Sequence, residues 1–192
     1  WGYASEAFFA QAALPALVLI LLSGPASAYL VLRRNDIELV LECGIGTNNP
    51  AFGGWRLLRH QVPSMEVYGK PGASLRVWRD FFPKAQIIGI DIDSDILFEE
   101  DRISTYHCDQ TCSESIGKFC DLASLSPSSI DIIIDDGLHE FHAGISLFES
   151  MNKYLAIDGV YVIEDVKTGD YIPYKDYFSG LQDQFTVQIF NL

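Results

Sequence analysis

The sequence contains few basic residues. Thirteen Lys and Arg side chains stand against 26 Asp and Glu side chains, giving a formal net charge of −13 at pH 7. A surface of that sign repels phosphate backbones and anionic membranes over most of its area. We therefore expect neither a nucleic-acid partner nor a membrane partner. With a hydrophobic fraction of 48% in 192 residues, the composition suits one folded domain with a single core rather than a disordered chain.

Cysteine is also scarce, and its spacing argues against the common disulfide and zinc motifs. The four cysteines, Cys43, Cys108, Cys112 and Cys120, form no CxxC pair. A zinc site made of His107 and the last three cysteines can be written, but it lacks the usual short ligand pairs. Ordinary reduced thiols, which are typical of a cytoplasmic protein, are the preferred interpretation.

One long uncharged stretch, from Ala12 to Leu32, has about the length of a membrane span. Pro15 and the segment 23–27 interrupt it, and no basic residue precedes it, as a secretory signal would require. We prefer a buried or docking helix over 5–22, with a membrane anchor or signal as the alternative. We predict an N-terminal apolar segment over 1–36 and the main domain over 37–192, together forming a single globular unit.

Short apolar runs alternate with helical patterns along the rest of the chain. The runs end in glycine or acidic residues, as buried parallel strands do. The predicted strands are 37–43, 86–92, 103–108, 130–135 and 159–165, and the predicted helices are 73–82, 94–100, 113–122 and 139–155. This alternation indicates right-handed crossovers. The predicted fold class is α/β, a Rossmann-like doubly wound, mostly parallel sheet with helices on both faces.

Polar residues stand at the ends of all five predicted strands. In a doubly wound sheet, ligands bind at the carboxyl ends of the strands, near the point where the strand order reverses. The residues at these ends are Glu42, Gly44, Gly46, Asp91, Asp93, Asp109, Gln110, Asp135, Asp136, Glu164 and Asp165. Such a series at one rim predicts a nucleoside-like ligand together with a cation.

The glycine loop after the first strand, GluCysGlyIleGlyThrAsnAsn, differs from two nucleotide-binding motifs. Asn49 replaces the third glycine of a dinucleotide fingerprint, and no GKS or GKT of a phosphate loop follows. An ExGxG loop followed by a strand that ends in an acid resembles the first motif of class I S-adenosylmethionine-dependent methyltransferases. The resemblance implies that Gly44 and Gly46 approach the methionine part of the cofactor, Asp91 the ribose hydroxyls and Asp109 the adenine amino group.

Four further strand-end residues complete the predicted cofactor-binding set: Glu42, Asp93, Gln110 and Asp135. Two of them have a structural alternative. Asp93 is equally suited to cap the helix that follows it, and Asp135 to cap its own turn or orient the loop.

Two motifs in the second half extend the resemblance. IleIleAspAspGlyLeuHis at 133–139 and GlyValTyrValIleGluAspVal at 159–166 resemble metal-dependent sugar and macrolide O-methyltransferases and the related cephalosporin-hydroxylase-like proteins. Segments 72–83 and 96–103 add to the likeness, which covers roughly 39–166. It implies that Mg²⁺ or another divalent cation is bound by Asp136, Glu164 and Asp165.

That ligand set suits the chemistry that the resemblance implies. Carboxylate oxygens are preferred ligands of Mg²⁺, and a bound divalent ion can hold two vicinal sugar hydroxyls and lower the pKa of one of them. Asp136 as ligand and His139 as general base are the predicted catalytic residues. His142, one helical turn further, is an alternative base or substrate contact.

The sequence thus predicts an S-adenosylmethionine-dependent, Mg-assisted O-methyltransferase acting on a hydroxyl of a sugar or glycosylated small molecule. The alternatives are a hydroxylase-like or other small-molecule enzyme on the same scaffold, and a non-catalytic nucleotide-binding or interaction domain. The segment 49–71 suits a lid, and 185–190 a sixth strand, unless a partner in a homo-oligomer supplies one. Tyr171, Tyr174 and Tyr177 are either acceptor contacts or ordinary surface residues.

Overall fold

The computed structural model describes residues 31–45 and 71–185. The predictions made for residues 1–30, for the loop 46–70 with Gly46, and for 186–192 lie outside the described residues. The strands are β1 (Leu39–Cys43), β2 (Gln86–Asp91), β3 (Glu99–Glu100), β4 (Ile103–His107), β5 (Ile130–Asp135) and β6 (Leu155–Ile163). The helices are α1 (Ala73–Phe81), α2 (Ser113–Leu122), α3 (Phe141–Met151) and α4 (Tyr171–Ser179), with 3₁₀ turns at Ser94–Ile96 and Asn152–Tyr154.

The six strands form one sheet in the order β3-β4-β2-β1-β5-β6. Every neighbouring pair is parallel except β3, which is antiparallel to β4. From β1 the chain first adds strands on one side and then returns to add β5 and β6 on the other. The strand order therefore reverses between β1 and β5, which is where a doubly wound sheet opens a crevice for ligands.

Side chains alternate between the two faces of the sheet, and helices cover both. Leu41, Ile88 and Ile133 face α2 and α3, packing with residues such as Phe119 and Leu147. On the opposite face, Val40, Ile87 and Ile132 belong to a second buried cluster with Leu75 of α1 and Phe82 just beyond it. The predicted α/β class is confirmed. Among the described residues, no helix is long and apolar enough to cross a membrane.

The predicted helix over 94–100 is wrong. Only Ser94–Ile96 forms a 3₁₀ turn, and the chain then runs extended into β3. Thr105 of β4 causes this, because its hydroxyl bonds both the N–H and the carbonyl of Phe98, at 2.6 Å each. Glu100 is fixed by an ion pair with Arg76 of α1 at 2.8 Å. These contacts outweigh the weak local preference for helix.

The boundary between the last predicted helix and strand is also wrong. Helix α3 ends at Met151 instead of 155, and β6 begins at Leu155, four residues before the predicted start at 159. Leu155 pairs with Ile130 and Val160 with Ile132, so a bulge lies between the two pairs. The Asp158–Gly159 dipeptide is typical of a turn, but here it lies inside a bulged strand.

Candidate functional site

The described site residues lie where predicted, at the carboxyl ends of neighbouring parallel strands. In the order of the sheet, they lie at the ends of β4 (Asp109, Gln110), β2 (Asp91, Asp93), β1 (Glu42, Gly44), β5 (Asp135, Asp136) and β6 (Glu164, Asp165). Gly46 lies outside the described residues. The predicted cofactor residues of β4, β2 and β1 therefore lie on one side of the point where the strand order reverses, and Asp135 and the predicted metal residues lie on the other.

Asp136, His139 and Asp165 form a cluster whose ligand atoms all lie within 4.8 Å of one another. His139 Nε2 is 3.8 Å from Asp136 Oδ1. The structure thus brings together two of the three predicted metal ligands and adds the predicted base to them. The third, Glu164, lies outside this group but interacts electrostatically with Asp136, Asp165 and His139.

The crowding of carboxylates shifts their protonation. Burial raises the pKa of Asp136 to about 6, and the charges of Asp165 and Asp135 add to the shift. Partial burial raises the pKa of Glu164 to about 7, again with contributions from Asp136 and Asp165. Negative charges held this close repel one another. A divalent cation would relieve that repulsion.

Two residues of the cluster have a left-handed backbone. His139 has φ +54° and Asp165 has φ +48°, a conformation that costs a non-glycine residue about 1–2 kcal/mol. The buried His139 Nδ1 finds no hydrogen-bond partner among the described residues, and such a group is costly to leave unpaired. Strained backbone, an unpaired imidazole nitrogen and two adjacent carboxylates fit a bound cation and a polar substrate.

Gly44 has φ +94°, and a Cβ at that position would lie 2.2 Å from the backbone oxygen of Asp136. Asp136 N also donates to Cys43 O at 3.0 Å. The glycine loop and the turn that carries Asp136 therefore pack backbone against backbone. This packing is a role of Gly44 that the motif did not predict, and its contact with a cofactor stays a prediction.

Asp91 is 6% exposed and connects the glycine loop to the end of β2. Its carboxylate accepts hydrogen bonds from Ile45 N at 3.1 Å and from Asp93 N at 2.9 Å, while burial raises its pKa. Asp93 accepts from Asp95 N at 3.0 Å, so the capping role that we considered for it is observed. The ribose contact stays a prediction.

The remaining predicted cofactor residues make local contacts. Asp109 Oδ1 accepts from Thr111 N at 2.9 Å and from Thr111 Oγ1 at 2.6 Å. Buried Asp135 accepts from Gln110 Nε2 at 3.1 Å and from Gly137 N at 3.3 Å, which is the turn-capping role considered for it. Their contacts with a cofactor stay predictions.

Glu42 has a role that sequence reasoning missed. It is 1% exposed and accepts hydrogen bonds from Ser74 Oγ and from Trp78 Nε1, the latter at 2.5 Å. Burial raises its pKa to about 8, with smaller contributions from Asp136 and Glu164, so the carboxyl is largely protonated at neutral pH. Glu42 anchors α1 to β1. The available signal was the four-residue spacing of Ser74 and Trp78, which puts both on one helix face.

The alternative residues do not belong to the cluster of Asp136, His139 and Asp165. His142 is exposed, with Nδ1 3.5 Å from Glu140 Oε2. Tyr174 is buried against Phe141, Tyr177 bonds Glu149 at 3.0 Å, and Tyr171 is exposed. His107, Cys108, Cys112 and Cys120 do not form a ligand cluster in the part of the chain that the structure describes. The cysteines are free thiols.

The chain is similar in sequence to known sugar O-methyltransferases. No family model matches the chain. The chain is 35% identical over 152 residues to a mycinamicin VI 2''-O-methyltransferase of Micromonospora griseorubida, covering 78% of this chain and 31% of the relative. It is 33% identical over 154 residues to a tetracenomycin rhamnosyl 2'-O-methyltransferase of Streptomyces olivaceus, covering 80% and 34%. The chain therefore spans about a third of the length of the curated relatives it matches.

Solved structures show the same similarity to a methyltransferase. The methyltransferase MycE of the mycinamycin pathway, in complex with Mg, SAH and mycinamycin VI, superposes with a TM-score of 0.56 at 30% identity, covering 78% of this chain and 35% of that one. A second crystal form of the same enzyme, with Mg and SAH, gives a TM-score of 0.59 at 26% identity, covering 87% and 41%. The resemblance and the fold class predicted from the motifs are both confirmed.

Proposed function

We propose that the chain binds S-adenosylmethionine and Mg²⁺ and methylates a hydroxyl of a sugar on a small molecule, because its sequence is similar to those of sugar O-methyltransferases. The observation that carries this proposal is the cluster of Asp136, His139 and Asp165 beside the glycine loop, at the reversal of the strand order. The relatives' names favour this activity over the hydroxylase-like alternative.

The order of residues along the rim supports the orientation proposed for the cofactor. Asp109 follows β4, Asp91 ends β2, Gly44 follows β1 and Asp136 follows β5, and these strands are successive neighbours in the sheet. A cofactor whose adenine lies at Asp109 and whose ribose lies at Asp91 would place its methionine part at Gly44. The methyl group would then face the turn that carries Asp136 and His139.

The residues of the cluster would have two roles, binding the cation and accepting a proton. When bound, S-adenosylmethionine supplies an electrophilic methyl group, and Mg²⁺ lowers the pKa of a coordinated hydroxyl. Asp136 and Asp165 would hold the cation, with Glu164 beside them. His139 would accept the proton of the acceptor hydroxyl, because its imidazole lies within the cluster. The fixed turn would orient the hydroxyl toward the methyl group.

Calorimetry tests the cofactor part of this proposal. We expect S-adenosylhomocysteine to bind the chain with micromolar affinity and NAD not to compete. Asp91→Ala should abolish that binding, whereas Asp121→Ala, a matched change at an exposed position on α2, should leave it unchanged. A folded sample that binds neither S-adenosylhomocysteine nor Mg²⁺ would overturn the proposal.

Methyl transfer itself is tested with sugar-bearing acceptors and a labelled methyl donor. His139→Ala should abolish turnover and leave S-adenosylhomocysteine binding intact, while His142→Ala should retain turnover. The reverse pattern would assign the base to His142.

We further propose that 37–192 is the S-adenosylmethionine-binding domain and that its acceptor is a glycosylated small molecule with a free hydroxyl. A cytoplasmic location, a homo-oligomeric state and the absence of nucleic-acid partners stay predictions. The free thiols at Cys43, Cys108, Cys112 and Cys120 support the first of these.

A further inference from the structure

Gln110 lies directly after Asp109, on the loop predicted to hold the adenine, yet its side chain turns toward the metal-binding turn. It is 8% exposed. Its Nε2 donates to Asp135 Oδ1 at 3.1 Å. Its Oε1 accepts from Leu138 N at 2.8 Å and from Cys43 Sγ at 3.6 Å.

These hydrogen bonds fix the turn from Asp135 to His139 against the buried Gln110 side chain. Asp135 begins the turn and Leu138 precedes His139, so Gln110 bonds both sides of the segment that carries Asp136. Gly137 is packed onto the same amide, since a Cβ there would lie 1.9 Å from Gln110 Oε1. A side chain at this position would displace the glutamine.

The amide chemistry is specific to this arrangement. One end of the group donates to a carboxylate, and the other accepts from a backbone N–H and a thiol. A carboxylate in its place would bring two negative groups together, and an apolar group would leave Asp135 Oδ1 and Leu138 N each without one bond. Glutamine supplies both functions without a net charge.

We propose that Gln110 is a positioning residue that couples the cofactor loop to the metal-binding turn, so that the cofactor and Mg²⁺ each bind more tightly when the other is present. The inference rests on the proposed function. It assigns Gln110 to the metal-binding turn, whereas the sequence motif predicted a direct cofactor contact. Residues that orient metal ligands in this way typically change metal affinity by about 10–100-fold when mutated.

The experiment measures the Mg²⁺ dissociation constant by calorimetry with and without saturating S-adenosylhomocysteine, and the reverse titration. Because coupling is reciprocal, both should change by the same factor, at least about fivefold in the wild type. Gln110→Leu should weaken Mg²⁺ binding at least about tenfold, reduce the coupling factor to near one, and change S-adenosylhomocysteine affinity without Mg²⁺ by less than about threefold. Gln86→Leu, at the exposed start of β2 on the opposite end of the sheet, is the matched control.

Gln110→Glu should give the same loss of Mg²⁺ affinity and coupling, and it decides the outcome if the leucine variant does not fold. Wild-type Mg²⁺ affinity and coupling in a folded Gln110 variant would overturn the inference. So would a loss of S-adenosylhomocysteine affinity with coupling retained, which would make Gln110 a direct cofactor contact. A wild type that binds both ligands without coupling overturns this inference alone, whereas a wild type that binds neither overturns the proposed function.

Discussion

Replacing Gly44 by alanine tests the close packing of the glycine loop against the metal-binding turn. The new methyl carbon would lie 2.2 Å from the Asp136 carbonyl oxygen and 2.7 Å from its carbonyl carbon. To reach an ordinary contact of 3.4 Å or more, the two backbones must separate by about 1 Å, because neither atom belongs to a flexible side chain.

Three effects set the size of the change. The left-handed backbone at φ +94° costs an alanine about 1–2 kcal/mol, and overpacking typically costs about 1–3 kcal/mol. The lower entropy of the unfolded alanine chain offsets about 0.4–1 kcal/mol of this. We expect Gly44→Ala to lower the free energy of unfolding by about 1–5 kcal/mol. Mg²⁺ affinity should also fall, because the separation displaces Asp136.

Urea unfolding followed by circular dichroism measures this change. Gly117→Ala is the matched control, because Gly117 lies within α2 and a Cβ there meets nothing within 4 Å. That variant should be more stable by about 0.5–1 kcal/mol, since alanine is a better helix former. The reasoning is refuted if the two variants shift the unfolding midpoint in the same direction.

Three further predictions concern charge. The Glu42 carboxyl has a folded pKa of about 8 against 4.5 unfolded, so its stabilising contribution is complete below pH 4.5 and is lost as the pH rises through 8. In urea titrations from pH 5 to 9, Glu42→Gln should remove that loss, on the order of a few kcal/mol, and an unchanged pH dependence would contradict it. In thermal scans at pH 8, Mg²⁺ should raise the melting temperature and EDTA should reverse this. The effect should vanish at pH 5, where Asp136 and Glu164 are protonated, and its survival there would place the cation elsewhere. In metal-free buffer, Asp136→Asn should lower the pKa of Glu164 from about 7, since the Asp136 charge helps to raise it; carbon-detected NMR titration measures the shift, and a constant value would show the two carboxylates to be independent.

Local patterns were sufficient for most of the fold. The strands β1, β2, β4 and β5 differ from their predicted ranges by at most two residues at either end. β1, β2 and β5 are apolar runs bounded by turn residues, and β4 is rich in the β-branched and aromatic residues that favour strands. Elements whose limits depend on tertiary contacts were missed. The extended chain at Phe98 depends on Thr105, and the early start of β6 depends on pairing with Ile130.

In the site, too, local motifs predicted some features, and contacts between distant residues determined the others. Motif spacing placed Asp136, His139 and Asp165 at one rim, and the structure brings them together. The contacts of Glu42 and Gln110 join residues far apart in the chain: Trp78 is 36 positions from Glu42, and Leu138 is 28 positions from Gln110. A buried polar side chain can form hydrogen bonds with any of several nearby groups, and spacing along the chain does not determine which of them it bonds.

The short strand β3 has a consequence for assembly. It covers part of the outer edge of β4 with two residues. Glu99 is exposed, and Glu100 is partly buried and paired with Arg76 and Arg79. An edge this short, carrying two acidic side chains, is a poor template for pairing with a strand of another molecule. If two copies of the chain associate, the β3 edge is a poor place for them to extend one continuous sheet.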